Sequence, residues 1–436
     1  MAGKKHVIVG AGTAGYNAIR TLRQLGSDDE IALVSAEPAY SRMVLPYYLE
    51  ENISEGHTAT LSPNQLEAWG VVTHFGRTAV GLDTKANVLK LDNGDDEPYD
   101  DVLIATGSSA VRLPLPGCDG EGVHSFWTLA DARGVHRHIR PDAHSVMVGA
   151  GFIAFTILNG MIKRSGKVTI VEVAERILPR MVDDTGARLV SDWLEQHGVT
   201  LRTSVHLQKI EDAAGKKRLS FADAGALDAD LVVMATGIKT NLDWLQGSGV
   251  KINGGIVVDD YLRSNVPNVY AAGDVAEGRN RITGQAEVHA IEPTAMEHGR
   301  VVGANMAGRD VRYAGSLMMN IVGVAGLDIA SFGSWDDAGA EVIEGLRQAR
   351  SSYRKYLFRG DLLVGAIYVG PSNETWSGNE LGMLKGLVQA AKPLGKWKEL
   401  LRKNPFDIKK PYLANRTVSA LIPDTVLGQA APAPNA

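Results

Sequence analysis

The chain of 436 residues contains one cysteine, Cys118. A single thiol excludes an internal disulfide, a redox-active cysteine pair, and any iron–sulfur cluster or cysteine-rich zinc site held by this chain alone. No metal site is expected. No apolar run reaches the length of a membrane span, so no membrane-crossing helix is expected. A secretory leader pattern is missing too: Lys4-Lys5 leads straight into a short strand and a glycine turn, so a cytoplasmic protein is expected. Charge of one sign forms no long block, and 45 basic against 50 acidic residues give no reason to expect nucleic acid as a partner.

What is present begins at the start of the chain. The 44% hydrophobic content and the length suggest two or three domains. The run His6-Val7-Ile8-Val9 stops at Gly10-Ala11-Gly12-Thr13-Ala14-Gly15. A buried strand that ends in such a turn and opens a helix presents bare N–H groups to a pyrophosphate. With 48 glycines in the chain, this spacing arises by chance about 0.6 times, so context has to decide. Here Tyr16–Leu25 reads as a helix and Ile31–Val34 as a second strand ending near Glu37, close to where a ribose-binding acid is expected. Between Pro38 and Leu49, prolines and aromatics suit a loop and short helix over a ligand; Arg42 could meet a phosphate or stack on a ring, with an ordinary surface loop as the alternative.

Val71–Phe75 and Asn87–Leu91 read as strands of a small antiparallel insertion, and Asp101–Ile104 as a buried strand running into Ala105-Thr106-Gly107. The pattern then recurs. Ser145–Val148 leads into Gly149-Ala150-Gly151-Phe152-Ile153-Ala154, a helix to about Ile162, and a strand Lys167–Val171 ending at Glu172. Asp230–Met234 and Ala235-Thr236-Gly237 repeat the earlier strand and turn. This duplication at the level of motif implies two nucleotides. Asn268–Ala272 then meets Gly273-Asp274, and Glu292-Pro293 starts a helix to about Met306.

From Tyr313 the character changes to a smaller α+β domain. Strands are predicted over 316–324 and 328–332, a hairpin over 353–369 and a helix over 380–391. The expected division is 1–115 with 246–312, then 116–245, then 313–400, followed by a basic arm and Ala/Pro-rich tail over 401–436. Phe406, Tyr412 and Leu413 suggest an arm that packs on a partner, with a solvated tail as the alternative, and Gln429–Ala436 is expected to be disordered.

In this order the signals resemble the FAD-dependent pyridine nucleotide-disulfide oxidoreductase superfamily, over residues 6 to about 370. Tyr40–Leu45 with Tyr48-Leu49 looks like the flavin-proximal segment of the branch with rubredoxin reductases and nitrite reductase flavin domains, and Gly273-Asp274 like the second FAD fingerprint. The resemblance implies an α/β fold: two Rossmann-like domains, for FAD and NAD, plus a small α+β C-terminal domain. By that likeness Gly10, Gly12, Ala14, Gly15 and Glu37 hold the ADP half of FAD, with Arg42, Thr106 and Gly107 nearby, Asp274 on the ribitol, and Thr294 and Ala295 at the pyrimidine edge. Gly149, Gly151, Phe152, Ile153, Glu172 and Gly237 would bind NAD, with Tyr47 and Thr156 near the flavin and nicotinamide. Glu172 favours NAD, since a 2′-phosphate 4 Å away would meet a like charge costing as much as ~4 kcal/mol at an effective dielectric of 20. Ala154 in place of a third glycine and the nearby Arg176 weaken that preference.

The region after Glu37 has none of the cysteines that superfamily disulfide reductases and peroxidases carry, so thiol chemistry at the flavin is excluded. The expected function is hydride exchange between NAD(H) and FAD and single-electron exchange with an iron–sulfur or other redox protein. The chain is read as a hetero-oligomer subunit, similar to the FAD-bearing subunits of 2-oxoacid:acceptor oxidoreductases such as phenylglyoxylate dehydrogenase. A stand-alone NADH oxidase or diaphorase and a non-catalytic flavin-binding assembly subunit are the alternatives.

Overall fold

The structure, a computed structural model, describes residues 3–222, 224–373 and 377–417. Its helices are α1 (Thr13–Gln24), α2 (Leu45–Leu49), α3 (Pro63–Ala68), α4 (Leu129–His138), α5 (Phe152–Arg164), α6 (Asp184–Gln196), α7 (Glu292–Met306), α8 (Ser377–Ala390), α9 (Lys396–Lys403) and α10 (Lys409–Ala414). Among the described residues no helix is long and apolar enough to cross a membrane.

Near-continuous apolar runs make strands that must be buried on both faces, and such strands assemble into parallel sheets covered by helices. Two of these sheets form. In the first, the order is Val269–Ala271, Asp101–Ile104, Lys5–Val9, Glu30–Ser35 and Val71–Phe75, every pair parallel. In the second it is Val199–Arg202, Lys167–Val171, His144–Val148, Leu231–Met234 and Val123–Ser125, again all parallel. The duplication read from the motifs extends to the connection between the sheets. Ser108–Ala110 and Ile238–Thr240, each following an Ala-Thr-Gly turn, pair antiparallel as the two chain crossings. Each threonine fastens the opposite crossing: Thr106 Oγ1 donates to the Asn241 carbonyl (2.9 Å) and Thr236 Oγ1 to the Val111 carbonyl (2.6 Å).

A third, antiparallel sheet orders Met319–Val324, Leu327–Gly333, Leu362–Pro371, Ser352–Arg359 and Glu341–Arg347. One face packs against α8 to α10 through Leu384, Val388, Leu401 and Ile408. Its other face shares a core with the second parallel sheet and α5, and there Tyr353 OH and Lys355 Nζ reach the Asp183 carboxylate at 2.8 and 2.9 Å.

Three expectations need correction. Val71–Phe75 is the parallel edge strand of the first sheet; only Val88–Leu91 lies in the antiparallel insertion, between Ala79–Asp83 and Asp96–Pro98. The crossover helix α3 that makes this possible is six residues long and buries only Leu66, too little for a helical period to register. The strand Glu341–Arg347 was not expected; it is a charged edge with Ile343 alone buried. The basic segment after Lys392 is no free arm as far as Thr417. Lys398 and Arg402 pair with Glu341 on that edge strand, the Phe406 ring lies under Arg347 at 3.9 Å, and Tyr356 OH donates to the Pro405 carbonyl at 2.5 Å. Opposite charge within the same domain captures the segment. Tyr412 is partly buried there, while Leu413 stays exposed. The tail Gln429–Ala436 lies outside the described residues.

Candidate functional site

Both glycine turns form the same backbone. Gly10 has φ +113° and Gly149 φ +102°, values that disfavour any side chain. A Cβ at either would lie 2.2 Å from the Ala105 carbonyl oxygen or 2.4 Å from that of Ala235. Each turn delivers a helix whose N-cap is a glycine, Gly12 for α1 and Gly151 for α5, with no side-chain cap and no acidic residue in the first turn. Those first-turn N–H groups lack intrahelical partners and carry the positive end of the helix. Nothing lies within 4 Å of a Cβ built on Gly12 or Gly151.

The two turns open into one cleft of about 2110 Å³, which also takes in the Met318–Gly323 edge of the third sheet. It is lined by Gly10, Gly12, Ala14, Glu37, Arg42, Tyr47, Thr106, Gly107, Asp274 and Ala295 from the first group of predicted residues, and by Gly149, Gly151, Phe152, Ile153, Thr156, Glu172 and Gly237 from the second. Gly15 and Thr294 do not line it. Gly15 is the place where α1 meets its strand, with a built Cβ 2.0 Å from the Gly10 carbonyl oxygen, and Thr294 is buried. Two predicted hydroxyls are already engaged: that of Thr106 at the crossing, and that of Thr156 on the Ile153 carbonyl at 2.7 Å.

The acids at the ends of the second strands are held differently. Glu37 accepts from Tyr40 OH at 3.0 Å and from Arg42 at 3.3 Å. Arg42 continues to the Ser108 carbonyl (3.0 Å) and lies over the Trp127 ring (5.3 Å), whose indole N–H donates to the same carbonyl at 2.6 Å. Glu172 instead accepts two backbone N–H groups, from Ala150 at 2.6 Å and Ala174 at 2.8 Å.

Asp274 lies deeper. Burial pushes its carboxyl above the usual carboxylate range, against the opposing Ser108 hydroxyl, which donates at 2.5 Å. Behind it the Gly273 N–H donates to His298 Nδ1 at 3.3 Å, and burial pushes that imidazole down to about 3, so Nδ1 remains an acceptor. Glu292, at the uncapped start of α7, accepts from the Thr13 hydroxyl at 3.2 Å, and burial raises its carboxyl as well. Ser108, Trp127, Glu292 and His298 were not read from the sequence. Only Glu292, as a helix start, carried any local signal; the others act on partners 19 to 166 positions away.

The site fits two dinucleotides: two open, uncapped glycine turns share a cleft, and a buried carboxyl stands beside the first. Cys118 is buried outside it, its thiol pushed up by burial. Among the described residues no group of His, Cys, Asp and Glu is placed to hold a metal.

The chain is similar to nitrite reductase (NAD(P)H) of Bacillus subtilis (strain 168), 28% identical over 386 residues, 87% of this chain and 47% of that protein. It spans about half the length of that relative and of the assimilatory nitrate reductase electron transfer subunit of the same organism (48%). With the NADH-dependent phenylglyoxylate dehydrogenase subunit epsilon of Aromatoleum evansii it shares 30% identity over 388 residues, 87% of this chain and 91% of that one. In fold it matches a chain of the covalent putidaredoxin reductase–putidaredoxin complex with a TM-score of 0.87 at 21% identity, over 95% of this chain and all of that one. Residues 4–299 match the model of the pyridine nucleotide-disulphide oxidoreductases. With its two sheets, two glycine turns and shared cleft, the chain belongs to that family, whose cofactors are FAD and NAD(H).

Proposed function

We propose that this chain exchanges hydride between NAD(H) and FAD and exchanges electrons singly with an iron–sulfur or other redox protein, as a subunit of a larger oxidoreductase. One observation carries the reading: two uncapped glycine-turn helices share a cleft that no cysteine lines. Bound FAD supplies the step between two-electron and one-electron chemistry.

The chain's own residues bind and orient. The first turn (Gly10, Gly12, Ala14, Gly15) and Glu37 would hold the ADP half of FAD, with Arg42, Thr106 and Gly107 beside them. Asp274 would hold the ribitol. The uncapped start of α7, with Thr294 and Ala295, would face negative charge at the flavin ring, worth up to ~1–2 kcal/mol when partly buried. Gly149, Gly151, Phe152, Ile153 and Gly237 would hold NAD, and Glu172, already oriented by two backbone amides, would accept from its ribose hydroxyls. Tyr47 and Thr156 would flank the reacting rings. Hydride exchange depends on distance and orientation more than on a side-chain acid or base, so this set suffices. Without a thiol in the cleft, electrons have to leave to a group outside the chain.

The partner class follows a relative whose name states it, a rubredoxin-NAD(+) reductase of Pseudomonas putida, 28% identical over 306 residues, and the place in a larger oxidoreductase follows the phenylglyoxylate dehydrogenase subunit epsilon, matched over 91% of its length. In an anaerobic titration, NADH should bleach the flavin absorbance, and an added rubredoxin or ferredoxin should restore it. An unbleached flavin overturns the reading. Rapid turnover with oxygen and no partner in a native pull-down would select the stand-alone oxidase instead.

A further inference from the structure

Helix α5 touches three separate parts of the molecule. Its first turn carries the second glycine turn, with Phe152, Ile153 and Thr156 on the cleft. In its middle the Asn159 amide clasps the third sheet, donating to the Gly323 carbonyl at 2.9 Å and accepting from the Ala325 N–H at 2.8 Å. Its last turn grips α2. Lys163 Nζ donates to the Glu50 carbonyl at 2.8 Å and Arg164 to the Leu49 carbonyl at 2.9 Å, with a second guanidinium nitrogen 3.0 Å from Glu51. Gly160 admits Leu49 so closely that a Cβ there would lie 3.0 Å from its Cγ.

Helix α2 is five residues long, and a helix that short has no stability of its own. The carbonyls of Pro46, Tyr47 and Tyr48 already accept the backbone N–H groups of residues 50–52, so the cations of α5 meet the next two, Leu49 and Glu50, where positive charge also favours the helix dipole. Leu45 and Leu49 sit in the core of the second sheet, whereas Ala39 before them and Leu61 after them pack in that of the first. Meanwhile Leu45, Pro46 and Tyr47 line the cleft, directly after the segment in which Arg42 pairs with Glu37 of the first unit. One support of that wall is therefore a bar about 20 Å long that starts at the second turn; the other is α4, where the Tyr48 ring stacks on His136 at 5.0 Å.

We infer that Arg164, seconded by Lys163, is a positioning residue: by capping α2 from the far end of α5, it holds the wall of the first half-site in register with the second glycine turn. This rests on the hydride-exchange reading above. A misplacement of about 1 Å in such a reaction costs up to ~100-fold in rate, so a remote cap has a kinetic effect without touching either nucleotide.

The test compares Arg164→Gln, Arg164→Lys and Lys163→Gln with wild-type holoprotein. Amide hydrogen exchange over residues 45–52 should accelerate in Arg164→Gln, less in Lys163→Gln, and return toward wild type in Arg164→Lys. In anaerobic stopped flow, the flavin reduction rate at saturating NADH should fall about tenfold in Arg164→Gln, with FAD content and the NADH dissociation constant unchanged. Faster exchange with an unchanged limiting rate would overturn the inference, leaving the contact structural. So would unchanged exchange, or a loss that falls on FAD content or NADH affinity instead. Should Arg164→Gln not fold, the exposed Lys163→Gln decides by the same two measurements. A wild-type flavin that NADH does not bleach overturns the functional reading and the kinetic claim with it, while the exchange data still decide whether Arg164 holds α2.

Discussion

The two glycine-turn units have the same strands, register and turn backbone, yet they are seated by different forces. Helix α1 is locked by backbone against backbone. Built Cβ atoms at Gly15, Gly299 and Gly303 would fall 2.0 to 2.6 Å from carbonyl oxygens of Gly10, Ala14 and Ala18. Helix α5 has Ala154 where α1 has Gly15, fully buried, and it is seated by packed side chains: Phe155, Ile157, Leu158 and Met161 are fully buried, and Asn159, Lys163 and Arg164 add hydrogen bonds to neighbouring elements. The acids differ in the opposite sense: Glu37 of the first unit sits among side chains, Tyr40 and Arg42, whereas Glu172 of the second accepts two backbone amides. Close backbone contact allows no play, while side-chain hydrogen bonds to carbonyls can be remade. The contrast between the helices is the one expected if, as proposed above, the first unit seats a retained cofactor and the second a nucleotide that comes and goes.

The sharpest way to break this comparison is a reciprocal exchange at one position. Gly15→Ala should lose bound flavin and roughly 2–3 kcal/mol of stability through overpacking against the Gly10 carbonyl, seen as flavin content and melting temperature. Ala154→Gly should cost only about 1 kcal/mol, the ordinary penalty of glycine in a helix, and leave both nucleotides bound. Equal effects would mean that the units are seated alike.

Asp274→Ala should raise the FAD dissociation constant roughly 30-fold, about 2 kcal/mol, without changing retention on an immobilised NAD analogue. A comparable loss on the NAD side would show that the two half-sites are not separable.

A pH experiment probes the His298 support behind Asp274. Its folded value, about 3, lies below the ordinary histidine value of 6.5, so the stability it contributes is complete above pH 6.5 and declines as pH falls toward 3. Between pH 8 and pH 5 wild type should lose about 2 kcal/mol more than His298→Asn in urea unfolding. Parallel pH curves would contradict a neutral Nδ1 acceptor.

The smallest effect on nucleotide binding belongs to the second acid. Glu172→Ala should raise the Michaelis constant for NADH about tenfold, roughly 1.4 kcal/mol, and narrow the gap between NADH and NADPH while FAD stays bound. Loss of flavin instead would show the half-sites to be interchanged.

Strands that are buried on both faces, such as Lys5–Val9 and His144–Val148, are legible because their composition states their environment. Val71–Phe75 was misplaced because its parallel pairing depends on α3, whose six residues show no period. Glu341–Arg347 escaped notice because an exposed edge strand needs only one buried residue, Ile343. In the site, the glycines and the two strand-end acids could be read from local spacing. Ser108 could not: its significance is a 2.5 Å bond to a residue 166 positions away.

Composition and local order were enough for two strand–turn–helix units and for the exclusion of thiol chemistry, because φ at a glycine and the presence of a cysteine depend on no distant neighbour. Only the packed chain decided that both turns open into one cleft, that the basic segment folds back on Glu341, and that α2 is held by the second unit while walling the first. Those are contacts between residues far apart in the chain. Their energy exists only once the sheets, crossings and α5 have brought the partners together.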